Sequence, residues 1–253
     1  MQPLGPGAVV ALVTCHREPP AAGLLAELSA RLPQLLVVND GMAARPAAAL
    51  DALADACAAR VLHLPRRGGK GSAIVAGIRA TRGEQGTPAG IMVIDGDGQH
   101  PPDAIPAFLA ASGQAELVVG NRFAGEGSMP PVRRLANRTA SGVLSLAARA
   151  RVPDSQCGMR LLRGRALEEI AFPAGGMEAE TLHLRRCLLA GVPVAWVPIP
   201  ALYGSDRESS FRKVRDSVAV MRAAIAGCRP HSYICREKQP SCSGFVSERA
   251  RWG

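Results

Sequence analysis

Aromatic residues are scarce: Phe, Trp and Tyr make up 4% of the 253 residues. A surface that stacks nucleobases needs exposed rings, so the composition argues against that kind of nucleic-acid binder. The seven cysteines are irregularly spaced and include no C-x-x-C pair. Cys15, Cys57, Cys157 and Cys187 lie in or beside apolar segments and read as reduced core thiols. No stretch reaches the ~18 apolar residues that span a bilayer. No basic region followed by an apolar run marks a signal peptide. A cytoplasmic protein is expected, with peripheral membrane attachment open. Two Gly-rich nucleotide signatures are also missing. A P-loop would need Gly at position 64 and Ser or Thr at 71, where the chain has Leu64 and Gly71. No G-x-G-x-x-G follows the first strand, which weighs against a dinucleotide dehydrogenase.

What is present is apolar and basic. Apolar residues make up 47% of the chain, much of it Ala and Gly, which suits helices packed closely on a sheet. The net charge of +9 fits nucleic acid, an anionic membrane surface or a phosphorylated substrate. The densest clusters are Arg133, Arg134 and Arg138, and Arg207–Arg215. No nucleic-acid motif accompanies them, and a solvated basic face is their plain alternative.

Apolar runs predict strands at Val9–Val13, Leu35–Val38, Val61–Leu64, Ile91–Ile94 and Leu117–Val119. Helices are predicted between them at Ala21–Arg31, Pro46–Arg60, Lys70–Thr81 and Asp103–Ala111. This alternation predicts an α/β fold with a mostly parallel sheet and helices on both faces. Further on come a long helix at Arg133–Arg149, a loop then strand at Asp154–Leu162, and a helix at Met177–Ala190. A strand at Val194–Ile199 and an amphipathic helix at Val214–Ala226 follow. Residues 1–228 are expected to form one domain. Arg229–Gly253 is polar, basic and aperiodic, and reads as a mostly disordered tail. Cys228, Cys235 and Cys242 there match no zinc spacing.

Several loops carry chemistry. Asp95-Gly-Asp97-Gly-Gln99 follows the fourth strand, at the edge where open α/β sheets bind ligands. Two carboxylates and an amide oxygen suit Mg²⁺ or Mn²⁺. Taken alone, the pattern is the ordinary chemistry of a polar turn. Asp40 ends the second strand, where a carboxylate accepts from a base or ribose, or forms an Asx turn. Glu18 follows the first strand. Arg66-Arg67-Gly68-Gly69-Lys70 enters a helix, and its backbone N–H groups with Lys70 suit an anion. Asp154 could act as base or orient an acceptor hydroxyl. Arg160 could hold a phosphate or pair with Asp154. Glu178 and Glu180 open a helix, where the dipole favours acids regardless of function. Arg207, Arg212 and Lys213 could bind diphosphate.

In order, these pieces resemble the family 2 glycosyltransferases, in the dolichol-phosphate mannosyltransferase-like branch, from about Val9 to Ala226. Val13–Glu18 is similar to Pro-x-Tyr-Asn-Glu, and Val38–Met42 to Val-Asp-Asp-Gly-Ser. Gly69-Lys70-Gly71 matches Gly-Lys-Gly. Ile94–His100 resembles Asp-x-Asp-x-Gln-His, and Gly120–Phe123 resembles Gly-Ser-Arg-Tyr. Arg133, Arg134 and Asn137 fit the Arg-rich helix that follows. Asp154–Arg160 resembles Asp-x-x-x-Gly-Phe-Arg. Glu208–Arg215 is similar to a Ser-His-Phe-Arg-x-x-Arg-Asp ending. Arg17, Asn39, Met42 and Met159 depart from the pattern.

The resemblance implies a GT-A fold, with Glu18 and Asp40 facing the nucleotide of a nucleotide-diphosphate sugar. Lys70, Asp95, Arg122, Arg133 and Arg212 would complete that site. Asp95, Asp97 and Gln99 would hold a Mg²⁺ or Mn²⁺ bridging the diphosphate, and transfer would invert the anomeric centre. Asp154, Arg160 and Glu180 are the candidate catalytic residues. The acceptor would be a polyprenyl phosphate, a lipid or a small hydroxyl compound. A phosphate needs little base help, whereas a hydroxyl would call on Asp154 or Glu180. The alternatives are a sugar-phosphate nucleotidylyltransferase, whose Gly-rich basic first loop is not seen after Val13, and an inactive nucleotide-sugar-binding scaffold.

Overall fold

Four apolar runs are buried almost completely: Val9–Val13, Leu35–Val38, Ile91–Ile94 and Leu117–Val119. Runs buried on both faces are the mark of parallel strands covered by helices. A computed structural model of the chain arranges them that way. It describes residues 1–21, 23–82, 88–127, 129–169 and 171–202. The predicted helix Val214–Ala226, the tail and Arg212 lie outside the described residues.

The strands are β1 (Val9–Cys15), β2 (Gln34–Asp40), β3 (Arg60–Leu64), β4 (Gly90–Asp95), β5 (Leu117–Asn121), β6 (Arg160–Arg163) and β7 (Val194–Pro198). They form one sheet in the order β3-β2-β1-β4-β6-β5-β7. β6 runs antiparallel to β4 and β5, and all other pairs are parallel. The helices are α1 (Leu24–Ser29), α2 (Ala44–Ala56), α3 (Lys70–Thr81), α4 (Ile105–Ala111), α5 (Pro131–Ala148), α6 (Gly164–Glu168) and α7 (Ala179–Leu189). The sheet grows outward from β1 to β3 and then returns to β4. Right-handed crossovers therefore put α1 and α2 on one face and α3 on the other. The α/β architecture expected from the alternation is observed.

Boundaries moved for local reasons. The Ala-rich helix predicted to reach Arg60 stops at Ala56. Ala58 adopts a positive φ of 52°, the Ala59 N–H bonds back to the Ala54 carbonyl at 2.9 Å, and Arg60 already belongs to β3. The first helix is shortened to Leu24–Ser29, entered through Gly23 at φ 78°. α6 was not expected.

The antiparallel β6 matters most for function. A strand that runs backwards starts where its parallel neighbours finish. The loop from Asp154 to Gly158 is thereby delivered to the carboxyl edge of β1, β2, β4 and β5. α3 and α7 begin at the same edge and bring Lys70 and Glu180.

Candidate active site

At the end of β4, Asp95 meets Lys70 from the first turn of α3. The Lys70 Nζ lies 2.7 Å from Asp95 Oδ1 and 2.9 Å from Oδ2. The same Nζ donates to Glu180 Oε2 at 2.9 Å. Burial opposes the charge on Lys70, but Asp95 and then Glu180 outweigh it and hold the ammonium above its ordinary pKa. Burial likewise opposes ionisation of Asp95, and Lys70, followed by His100, outweighs it and lowers the carboxyl pKa.

His100 is the residue that sequence reasoning missed. It closes the Gln-His end of the motif and was given no role. It is buried, and its Nδ1 accepts the Asp95 N–H at 3.1 Å. Burial lowers its pKa against the pull of Asp95 and Asp97. It fixes the bend where β4 ends. Gly158 also goes further than expected. A Cβ there would collide with Asp95 Oδ2 and would stand 2.8 Å from both His100 Cε1 and Lys70 Nζ. A side chain there would displace the Lys70–Asp95 contact.

Asp97 is exposed, and its Oδ1 accepts the Gln99 N–H at 3.0 Å. Among the described residues no three His, Cys, Asp or Glu side chains converge on a metal position. The donor set still fits a hard cation. Mg²⁺ binds through one or two carboxylates and takes its remaining oxygens from phosphates and water.

Asp154 is fully buried. The Arg122 side chain, just beyond β5, grips it from both sides: Nε to Oδ2 at 2.8 Å and Nη2 to Oδ1 at 2.9 Å. The Arg122 N–H adds a bond to Oδ2 at 3.1 Å. Arg160 differs from its expected place. It does not pair with Asp154 and holds no position open to a phosphate. In β6 it lies opposite Val93 of β4 and Val119 of β5, in the middle of the sheet and fully buried. Its guanidinium donates to the carbonyls of Cys157 at 2.9 Å, Glu180 at 2.6 Å and Ser155 at 3.0 Å. It is a brace beneath the site. Glu180 Oε1 lies 4.0 Å from Arg160 Nε and is a buried oxygen without a hydrogen bond, so Glu180 sits between two cations.

Asp40 is turned toward its own loop. Its carboxylate accepts the Gly68 N–H at 2.6 Å and the Gly69 N–H at 2.9 Å. Gly41, at φ 72°, lets the Arg66–Arg67 backbone approach, where a side chain would overlap it. Asp40 therefore shapes the basic loop that precedes Lys70. Next to it, Asn39 Nδ2 donates to His63 Nδ1 at 2.8 Å, and His63 Nε2 meets Asp51 at 2.9 Å. Glu18 is exposed in the bend after β1, and Arg133 is half-buried in the first turn of α5. Burial pushes the Cys15 and Cys157 thiols up to about 12.

The arrangement can place a hard cation at Asp97, and it brings the Lys70 ammonium and the Arg122–Asp154 fork to the same edge of the sheet; the Gly68 and Gly69 amides, expected to meet an anion, are taken by the Asp40 carboxylate instead. Open α/β sheets bind ligands at this carboxyl edge. Residues 9–171 match the model of glycosyl transferase family 2. The chain belongs to that family and is a glycosyltransferase. It is 30% identical over 195 residues to the polyprenol monophosphomannose synthase of Mycolicibacterium smegmatis, across 72% of this chain and 71% of that protein. It is 34% identical over 90 residues to an undecaprenyl-phosphate 4-deoxy-4-formamido-L-arabinose transferase of Pseudomonas paraeruginosa, covering 35% of this chain and 25% of that one. Among solved structures, mannosyl-3-phosphoglycerate synthase from Rubrobacter xylanophilus superposes with a TM-score of 0.63 at 20% identity, covering 85% of this chain and 72% of its own. Glucosyl-3-phosphoglycerate synthase from Mycobacterium tuberculosis, in complex with Mn²⁺, uridine diphosphate and glucosyl-3-phosphoglycerate, superposes with a TM-score of 0.62 at 18% identity, over 86% and 77% of the two chains. The GT-A fold is shared with these enzymes.

Proposed function

We propose that the chain transfers a sugar from a nucleotide-diphosphate sugar to a polyprenyl phosphate, with inversion at the anomeric centre. One observation carries the choice of acceptor. Both candidate bases are already neutralised, Asp154 by the Arg122 fork and Glu180 by Lys70. A hydroxyl acceptor needs a free base to take its proton. A phosphate monoester is already ionised and needs none. Its oxygen bonds to the anomeric carbon as the bond from that carbon to the nucleoside diphosphate breaks. The relative from M. smegmatis, named for a polyprenol acceptor, supports the same choice.

Asp97 and Asp95, with the Gln99 amide, would hold a Mg²⁺ or Mn²⁺, which when bound offsets charge on the departing diphosphate. Lys70 would meet the same phosphates, with Arg212 and Arg133 as further cations. Residues 1–228 would form the catalytic domain and 229–253 a basic tail. Among the described residues no helix is long and apolar enough to cross a membrane. The basic residues would instead bring the enzyme to the cytoplasmic face of an anionic bilayer, at about 1 kcal/mol for each Lys or Arg near the surface.

The test supplies the full chain with nucleotide-diphosphate sugars and Mn²⁺, and offers a polyprenyl phosphate or a small hydroxyl acceptor. Transfer to the phosphate is expected, with a rate that does not follow the ionisation of a carboxylate base. Transfer only to the hydroxyl acceptor would overturn the reading. Asp97→Ala should weaken Mn²⁺-dependent binding of the nucleoside diphosphate by at least the roughly tenfold to hundredfold that loss of an outer-sphere partner costs a metal site. The fold should be unaffected because Asp97 is exposed. Calorimetry showing equal metal-dependent affinity would remove Asp97 from the site.

A further inference from the structure

Asp154 and Glu180 belong to different elements, the loop before β6 and the first turn of α7, and two ties join them. One is Arg160, whose guanidinium takes the carbonyls of both Ser155 and Glu180. The other runs through side chains. Ser141 of α5 donates to Ser155 Oγ at 3.1 Å and accepts the Ser155 N–H at 2.9 Å. Gln156 Nε2 donates to the same Ser155 Oγ at 3.3 Å and to Thr181 Oγ1, next along α7 from Glu180, at 2.6 Å. The Gln156 N–H meanwhile donates at 3.1 Å to Asp154 Oδ1, the oxygen that Arg122 Nη2 holds. One residue thus has its backbone on the carboxylate of one ion pair and its side chain on the helix that carries the other.

Burial separates the two ties. The Arg160 guanidinium is sealed in the sheet, where removing a donor costs stability. Gln156 is half-buried, so an amide released from Thr181 finds water in its place. Such a bond contributes little to folding, yet a short directional bond still fixes where the loop sits against α7. Thr181 is fully buried, where packing alone would be served as well by Val.

We infer that Gln156 is a positioning residue. Through Thr181 it sets the spacing between the Asp154–Arg122 fork and the Glu180–Lys70 pair, and with it the alignment of the acceptor against the anomeric carbon of the donor. Reacting atoms must come within about 3–3.5 Å of each other, and an error of about 1 Å costs roughly a hundredfold in rate. The inference rests on the reading of this sheet edge as the transfer site, and not on the choice of acceptor.

Steady-state transfer by the full chain tests it, with Thr181→Val, Thr181→Ser and Gln156→Ala as the variants and either acceptor in use. Thr181→Val should lower kcat roughly tenfold or more. The donor KM should stay within about twofold, because the diphosphate would be held by Lys70 and the cation at Asp97 rather than by Gln156. Gln156→Ala should do the same, and the double variant no more than either alone. Thr181→Ser keeps the hydroxyl and drops a buried methyl, so it should retain kcat while melting lower than Thr181→Val. Packing alone makes Ser the worse replacement in both readouts, whereas the tie reverses the order in kcat only. Amide exchange at Arg122 and Gln156, whose N–H groups both bond Asp154, should rise roughly twofold to tenfold in Thr181→Val, the worth of one hydrogen bond. Unchanged kcat or unchanged exchange in Thr181→Val overturns the inference, and so does an equal loss of kcat in Thr181→Ser. If Asp97→Ala abolishes metal-dependent nucleoside diphosphate binding while Thr181→Val keeps its kcat, the inference falls alone. If Asp97→Ala also changes nothing, the reading of this edge as the site falls with it.

Discussion

Two carboxylates at the same edge of the sheet are held in different ways. Asp154 is sealed from solvent, and one guanidinium forks onto both its oxygens. Asp95 keeps 23% of its side chain exposed and shares one ammonium with Glu180. A guanidinium fork sets direction as well as charge, whereas an ammonium on a flexible stem is a point charge that changes partner readily. The Asp154 side is therefore a fixed wall. The Asp95 side is the one that can redistribute its contacts when a diphosphate and a cation arrive.

The comparison breaks most severely at Arg160, which supports both sides. Replacing it by Met leaves three buried carbonyls without their donor and removes one of the two cations beside Glu180. The expected loss is about 3–5 kcal/mol of stability, the range for removing one partner of a buried pair. A urea midpoint measures it. A loss within ~0.5 kcal/mol, as for an ordinary surface change, would show that Arg160 is not the brace.

A smaller effect separates charge from direction at the fork. Asp154→Asn should cost about 2–3 kcal/mol, because Arg122 is left without a counter-ion. Arg122→Lys keeps the charge and loses the fork, and should cost about 1–2 kcal/mol. Equal losses in the two variants would mean that charge alone matters there.

Acid should distinguish the Asp95 side further. The Asp95 pKa is held below its ordinary value of 3.8, so its contribution is present above that pH and disappears as pH falls toward the folded value. The Lys70 pKa is raised above its ordinary 10.5, so its contribution is complete below that pH and is lost only at higher pH. Stability from this pair is flat across neutrality, and Asp95→Asn should make the acid arm below about pH 4 shallower. An unchanged acid arm would contradict the pairing.

Thiol labelling should show the smallest effect. Cys15, Cys157 and Cys187 are buried and pushed up to about 12, so they should resist alkylation at pH 8 in the native state. Cys57 is partly exposed and should react first among the described cysteines. Peptide mapping that finds Cys157 labelled early would show that the wall opens.

Much of this was legible in the residues. The buried runs of β1, β2, β4 and β5 are continuous in the chain, and their lengths and β-branched content mark parallel strands without help from elsewhere. Asp40, Lys70, Asp95 and Asp154 stand in the order of the family's motifs and arrive at one edge of the sheet. Helix ends were less legible, because they depend on single backbone positions such as Ala58 and Gly23.

By itself the sequence determined which segments are strands and which loops carry charge, since burial periodicity and turn chemistry are local. Only the tertiary structure decided which charges meet. Arg160 lies six residues from Asp154 and was the natural partner on the page, yet Arg122, separated from Asp154 by 32 residues, takes the carboxylate. The reason is the position of β6. Placed between β4 and β5, it carries the Arg160 guanidinium into the core, while the end of β5 leaves Arg122 at the edge where the Asp154 loop arrives. A one-dimensional spacing cannot express that choice, because it depends on which strands become neighbours.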